Sequence, residues 1–118
     1  NQVEYHPWIN QTRLMDWVNA HQIALVAYCP LAQGRFVNEK KLEAIAADHL
    51  RSPAQVILRW MMQKQNVLSI PRSSNIHRVI DNLNVFDFEL SDKEVDIMDA
   101  WRLENIRVVG FQAGAKWD

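Results

Sequence analysis

Residues 67–83 read Val67-Leu68-Ser69-Ile70-Pro71-Arg72-Ser73-Ser74-Asn75-Ile76-His77-Arg78-Val79-Ile80-Asp81-Asn82-Leu83. Val67–Pro71 is a short apolar run closed by proline, the pattern of a strand. A helix starts almost at once. Either Ser74 or Asn75 can cap it, and Ile76, Val79, Ile80 and Leu83 recur at helical spacing, which predicts a buried stripe. Arg78 and Asn82 stand four residues apart and share a different face. A strand passing this abruptly into a helix is the building unit of a parallel α/β architecture.

The unit recurs on both sides. Ser52-Pro53-Ala54-Gln55 is a complete helix start, with Ser52 as cap, Pro53 in the first turn and Gln55 closing a capping box. Val56, Ile57, Trp60 and either Met61 or Lys64 continue that helix. Ile23–Tyr28 is an unbroken apolar run before Pro30, as a buried parallel strand would be. Residues 32–38 form a loop around Gly34, and Leu42, Ile45, Ala46 and His49 mark the next helix. Leu14, Trp17, Val18 and His21 give residues 11–21 a helical stripe, and Asn1–Tyr5 is extended up to His6-Pro7. Ser91-Asp92-Lys93-Glu94 is a second capping box, leading to Val95, Met98 and Trp101. Residues 102–118 show no period and read as a tail. The order is β-α-β-αα-β-α-α-tail. Three strands are too few to close a barrel or protect both sheet edges, so the chain reads as about half of a larger α/β structure.

Composition narrows the function. The 118 residues carry a net charge of −1, 48% hydrophobic residues and one cysteine. A disulfide framework within the chain is excluded. So is a strongly basic nucleic-acid footprint. No apolar run reaches the ~18 residues of a membrane span. No signal peptide is visible, so a cytoplasmic location is expected. His6, His21, His49 and His77 lack metal-ligand spacing, and no nucleophile elbow is present. His21 and His49 read as packed or helix-end residues. Cys29 reads as inert and half-buried, and Trp17, Trp60 and Trp101 as core. Trp8 follows a strand and either walls a pocket, packs on a helix or lies exposed at the rim. The turn before Ile76 is the chemical candidate. A helix N-terminus offers free N–H groups and partial positive charge, and Arg72, Ser73 and Arg78 surround it. That set can hold a phosphate, or it can be a capped helix with solvated arginines.

The stretch from Ile70 to Val85 resembles the third signature of the aldo-keto reductases. There a Lys or Arg follows Leu/Ile-Pro and precedes Ser/Thr, with an Arg and then an Asn further on. Ile70, Pro71, Arg72, Ser73, Arg78, Asn82 and Val85 fit; Asp81 departs, since Gln, Glu or a small residue is usual there. Asn1-Gln2-Val3-Glu4-Tyr5-His6-Pro7 resembles the family's sixth barrel strand. Ala27-Tyr28-Cys29-Pro30-Leu31 resembles its seventh, and residues 52–60 resemble one of its helices. Lys116-Trp117-Asp118 resembles, more weakly, the end of bacterial members that act on diketo-gluconate and similar carbonyl compounds.

The resemblance implies a (β/α)8 TIM barrel, with residues 1–118 an incomplete domain. They would supply strands six to eight and the following helices, the C-terminal half of the barrel. It implies NADP(H) as cofactor, bound extended and without a Rossmann fold. Arg72, Ser73 and Arg78 would then hold the adenosine 2′-phosphate, and Asn82 the adenine, with Asp81 in an open role. Tyr28 would stack on the nicotinamide and Gln2 bond its carboxamide. Leu31, Gln33, Gly34 and Cys29 would lie along the pyrophosphate, and Arg35 could close over it. Trp117 would fold over the active-site mouth or be disordered. The family's catalytic Tyr, Lys, Asp and His precede this segment, so no catalytic residue is assigned within it. Tyr5 and His6 belong to strand six and are not members of that set. The partners expected are a small carbonyl substrate and either the missing N-terminal half of the barrel or a second copy of the chain. The rival expectation is a non-catalytic cofactor-binding or self-assembling half-barrel module.

Overall fold

The computed structural model describes residues 1–110. It contains β1 (Gln2–Glu4), α1 (Thr12–Ala20), β2 (Leu25–Tyr28), α2 (Lys40–Asp48), α3 (Pro53–Met62), β3 (Val67–Ser69), α4 (Ile76–Leu83) and α5 (Asp92–Ala100). Short 3-10 turns cover Ala32–Gly34 and Trp101–Glu104. The strands form one parallel sheet in chain order, Val3 opposite Ala27 and Ala27 opposite Ser69. This is the α/β class that the alternation of strands and helices predicts.

Side chains alternate across a strand, and residues in register share a face. Leu25 and Ala27 point into a core with Val18, Leu42, Val56, Ile57, Met61 and Met98, where the helices cover the sheet. Gln2, Val26 and Leu68 line the other face, as do Glu4 and Tyr28. Tyr5 stacks on Trp60 from the helix side, with ring centroids 5.5 Å apart.

Both capping boxes form. Ser52 and Ser91 accept from the backbone of Gln55 and Glu94, whose side chains reach back. Asn75, not Ser74, caps α4, its side chain accepting the N–H groups of His77 and Arg78. Glu39 caps α2 through the Leu42 N–H. His49 ends α2 and bonds the Glu94 carboxylate at 2.9 Å.

The stripe on α4 is a correction. Ile76, Val79, Ile80 and Leu83 share a face as their period requires, but they stand 37–64% exposed, and no residue of α4 is buried. Spacing fixes which residues share a face; burial also needs a surface opposite, and among the described residues none covers this one. Trp17 is likewise exposed rather than core, stacked on His21 with centroids 4.3 Å apart. Trp60 and Trp101 are buried as expected. Trp8 packs instead of walling a pocket, held between Phe36 at 4.1 Å and Trp101 at 5.1 Å. Lys116, Trp117 and Asp118 lie outside the described residues. No helix of the described residues is long and apolar enough to cross a membrane.

Candidate functional site

Two loops leave the carboxyl ends of neighbouring strands. The first runs from β2 to α2 and the second from β3 to α4. Ligands of parallel α/β structures bind at these ends of the strands. Between the loops lies a cavity of about 610 Å³. Leu31, Gln33 and Gly34 line it from the first loop, Arg72 and Ser73 from the second, and Arg78 and Asn82 from α4.

The first loop is held in an uncommon shape. Cys29, Ala32 and Gln33 have φ of 51°, 48° and 56°, in the left-handed region that L-residues avoid, and Gly34 has φ 76°. Three short-range bonds fix it: Ala32 N–H to Cys29 O at 3.0 Å, Gly34 N–H to Leu31 O at 2.8 Å and Arg35 N–H to Ala32 O at 3.1 Å. The tight reversal so formed presents Leu31, Gln33 and Gly34 to the cavity.

The second loop sets the charge. Among the described residues neither Arg72 nor Arg78 is paired with a carboxylate. Both guanidiniums are exposed at the cavity, where Asp81 is the acidic lining residue. Two forked cations, a hydroxyl at Ser73 and an amide at Asn82 suit a doubly charged phosphate beside a heterocycle. One detail differs from the sequence reading. The N–H groups of His77 and Arg78 already donate to Asn75 Oδ1, at 2.9 and 3.4 Å. Those two amides of α4 are taken, so an anion here would rest mainly on side chains. The start of α3 adds a helix N-terminus instead, since Ser52, Pro53 and Ala54 also line the cavity. Sequence reasoning missed them at the site, although their capping signal was read.

Gln2, Tyr28 and Cys29 do not line this cavity. Tyr28 is half-buried at the end of β2 and Gln2 is exposed on β1, both on the face away from the helices. Burial pushes the Cys29 thiol above its ordinary value, with the Glu4 charge adding to the effect, in keeping with an unreactive cysteine. Arg35 is exposed, its guanidinium 5.9 Å from the Phe36 ring. Among the described residues no cluster of three His, Cys, Asp or Glu could hold a metal. A second cavity of about 260 Å³ opens on the helix side of the sheet, near Tyr5 and Trp60. Its Lys64 is already bound to Asp99 at 2.6 Å.

A sequence model described as Aldo/keto reductase family matches residues 1–102. The chain belongs to the aldo/keto reductase family. Among its relatives, the glyoxal reductase of Bacillus subtilis is 46% identical over 100 residues, covering 85% of this chain and 36% of that protein. Aldose reductase C of Dictyostelium discoideum is 42% identical over 98 residues, 81% of this chain and 30% of its own length. The solved structure of a protein assigned as a 2,5-diketo-D-gluconic acid reductase B superposes with a TM-score of 0.93 at 32% identity, over 100% of this chain and 42% of that one. A variant of the protein Gox0644, solved in complex with NADPH, gives a TM-score of 0.81 at 35% identity, over 86% of this chain and 37% of that one. This aldo/keto reductase chain therefore spans between 30% and 42% of the length of these relatives.

Proposed function

We propose that the chain is the cofactor-holding part of an NADP-dependent aldo/keto reductase that reduces aldehydes or ketones of small metabolites. It would supply strands six to eight of the barrel and the helices after them. The observation that carries the reading is the meeting of Arg72, Ser73, Arg78 and Asn82 at one cavity, with both guanidiniums free of carboxylates among the described residues. That donor set fits the adenosine end of NADPH. Arg72, Ser73 and Arg78 hold the 2′-phosphate and Asn82 the adenine, while Leu31, Gln33 and Gly34 follow the pyrophosphate, with Cys29 below and Arg35 closing from outside. Tyr28 stacks on the nicotinamide, and Gln2 holds its carboxamide. When bound, the cofactor supplies the hydride. The work of these residues is to fix where the nicotinamide stands, which is worth much of the barrier in a transfer that needs near-contact geometry. No residue here is assigned to proton delivery, so the chain alone holds the cofactor without turning over a carbonyl. Its working partner is the remainder of the barrel.

A second reading rests on the bare apolar surface of Leu68, Ile70 and the α4 stripe. A second copy of the chain could cover it, giving a self-assembled, non-catalytic module.

Adenosine 2′,5′-bisphosphate, set against ADP, isolates the 2′-phosphate. Arg72→Ala should weaken binding of the bisphosphate to the purified chain by about 10- to 100-fold, the worth of a charge-assisted contact. ADP, which lacks that phosphate, should lose little. Equal losses for both would contradict the assignment.

A further inference from the structure

Glu4 is an acid at the carboxyl end of β1, only 1% exposed. A buried carboxylate is costly unless its lone pairs are met. Here they are met from the far end of the chain. Oε1 accepts the Val108 N–H at 2.6 Å, and Oε2 accepts the Val109 N–H at 3.1 Å. His6 Nε2 lies 3.0 Å from Oε1, and the Arg107 guanidinium stands 3.8 Å from Oε2. Burial holds the His6 pKa below its ordinary value, so its ring is neutral and Nε2–H serves as donor. One residue earlier, the Ile106 N–H donates to Trp8 O at 2.7 Å. A stretch of chain with no regular structure of its own is thus seated on a strand about a hundred positions away.

The location matters as much as the bonds. Glu4 is in register with Tyr28, so the two share the sheet face away from the helices. The Cys29 thiol, next in sequence, feels the Glu4 charge. We infer that Glu4 is a positioning residue, whose carboxylate clamps the Val108–Val109 amides beside Tyr28 and so builds one wall of the nicotinamide end of the site. The inference rests on the proposed role of Tyr28; the adenosine cavity between the other two loops does not involve Glu4.

Glu4→Gln and Glu4→Ala test it on the purified chain. A glutamine keeps one acceptor oxygen but turns the other position into a donor, so it can satisfy only one of the two valine amides. Amide hydrogen exchange should rise about tenfold at one of Val108 and Val109 in Glu4→Gln, and at both in Glu4→Ala, with Val26, Ala27 and Leu58 unchanged. Reduced nicotinamide mononucleotide should bind about tenfold more weakly to Glu4→Ala, while adenosine 2′,5′-bisphosphate binds as before. Unchanged valine exchange would show that the carboxylate is not the clamp. Faster exchange with undiminished mononucleotide binding would overturn the positioning role while leaving the cofactor reading intact. A parallel loss of the bisphosphate, or of Val26 and Ala27 protection, would reveal a purely structural residue. An unaltered chain that binds neither probe would bring down the cofactor reading, and this inference with it.

Discussion

Gln55→Ala should loosen α4 from the rest of the molecule, although Gln55 does not line the cavity. The buried amide of Gln55 makes three side-chain bonds. Its Oε1 accepts the Ser52 N–H at 2.9 Å, while Nε2 donates to Asp81 O at 3.0 Å and to Asn84 O at 3.1 Å. The latter two carbonyls belong to the last turn of α4 and its cap. Since α4 turns its apolar face outward, polar ties carry much of its attachment; just past its cap, Arg59 Nη1 also donates to Val85 O at 3.2 Å. Three bonds at a net 0.5–1.5 kcal/mol each come to about 3 kcal/mol. The Ser52 Oγ bond to the Gln55 N–H survives the substitution and preserves half of the cap. For a domain of this size the melting temperature should fall by about 12 °C. Thermal melts followed by circular dichroism give the stability, and hydrogen exchange at residues 77–83 shows whether α4 is what loosened. Because Arg78 and Asn82 ride on α4, affinity for adenosine 2′,5′-bisphosphate should fall as well. Gln55→Glu separates the two duties: a carboxylate can still close the capping box, but it cannot donate to the two carbonyls. It should therefore speed exchange in α4 while sparing the start of α3. A loss below about 1 kcal/mol, with α4 exchange unaltered, would refute the tether.

Ser91→Ala removes the oxygen that accepts the Glu94 N–H at 3.2 Å and should cost about 1 kcal/mol in urea unfolding, at an unchanged m-value. The pH profile follows from two groups. Burial holds the folded pKa of His6 below its ordinary value, against the opposing pull of Glu4. Its unfolded form therefore binds the extra proton first, and stability should decline as pH drops below about 6.5, a decline absent in His6→Leu. For Glu94, burial pushes upward, but the His49 bond and the Ser91 amide outweigh it and the net pKa is lowered. Its contribution is complete above about pH 4.3 and disappears as pH falls through the lowered value. Urea unfolding between pH 8 and pH 3 reads both steps, and a flat profile from pH 7 to 5 would count against the buried neutral His6.

What could be read from the chain divides by how far apart the interacting residues are. The helix starts at Ser52 and Ser91 were legible because cap and partner lie three positions apart. The cavity was legible through Arg72, Ser73, Arg78 and Asn82 because one strand-to-helix turn presents all four. Gln55 bonding Asn84 and Glu4 bonding Val108 were not, since those partners are 29 and 104 positions away. The burial errors have another cause. The apolar period of α4 correctly grouped Ile76, Val79, Ile80 and Leu83, yet the face they form is bare. Leu68 and Ile70, on and just after the edge strand β3, are bare too. A solvated helix has no need of four large apolar residues on one side, because polar ones would form it as well. The four of α4 form one bare helix face, while Leu68 points to the sheet face away from the helices, in a chain whose relatives are more than twice as long. Period alone groups a face without supplying the surface that would bury it, and the proposed reading would set the rest of a barrel against this one.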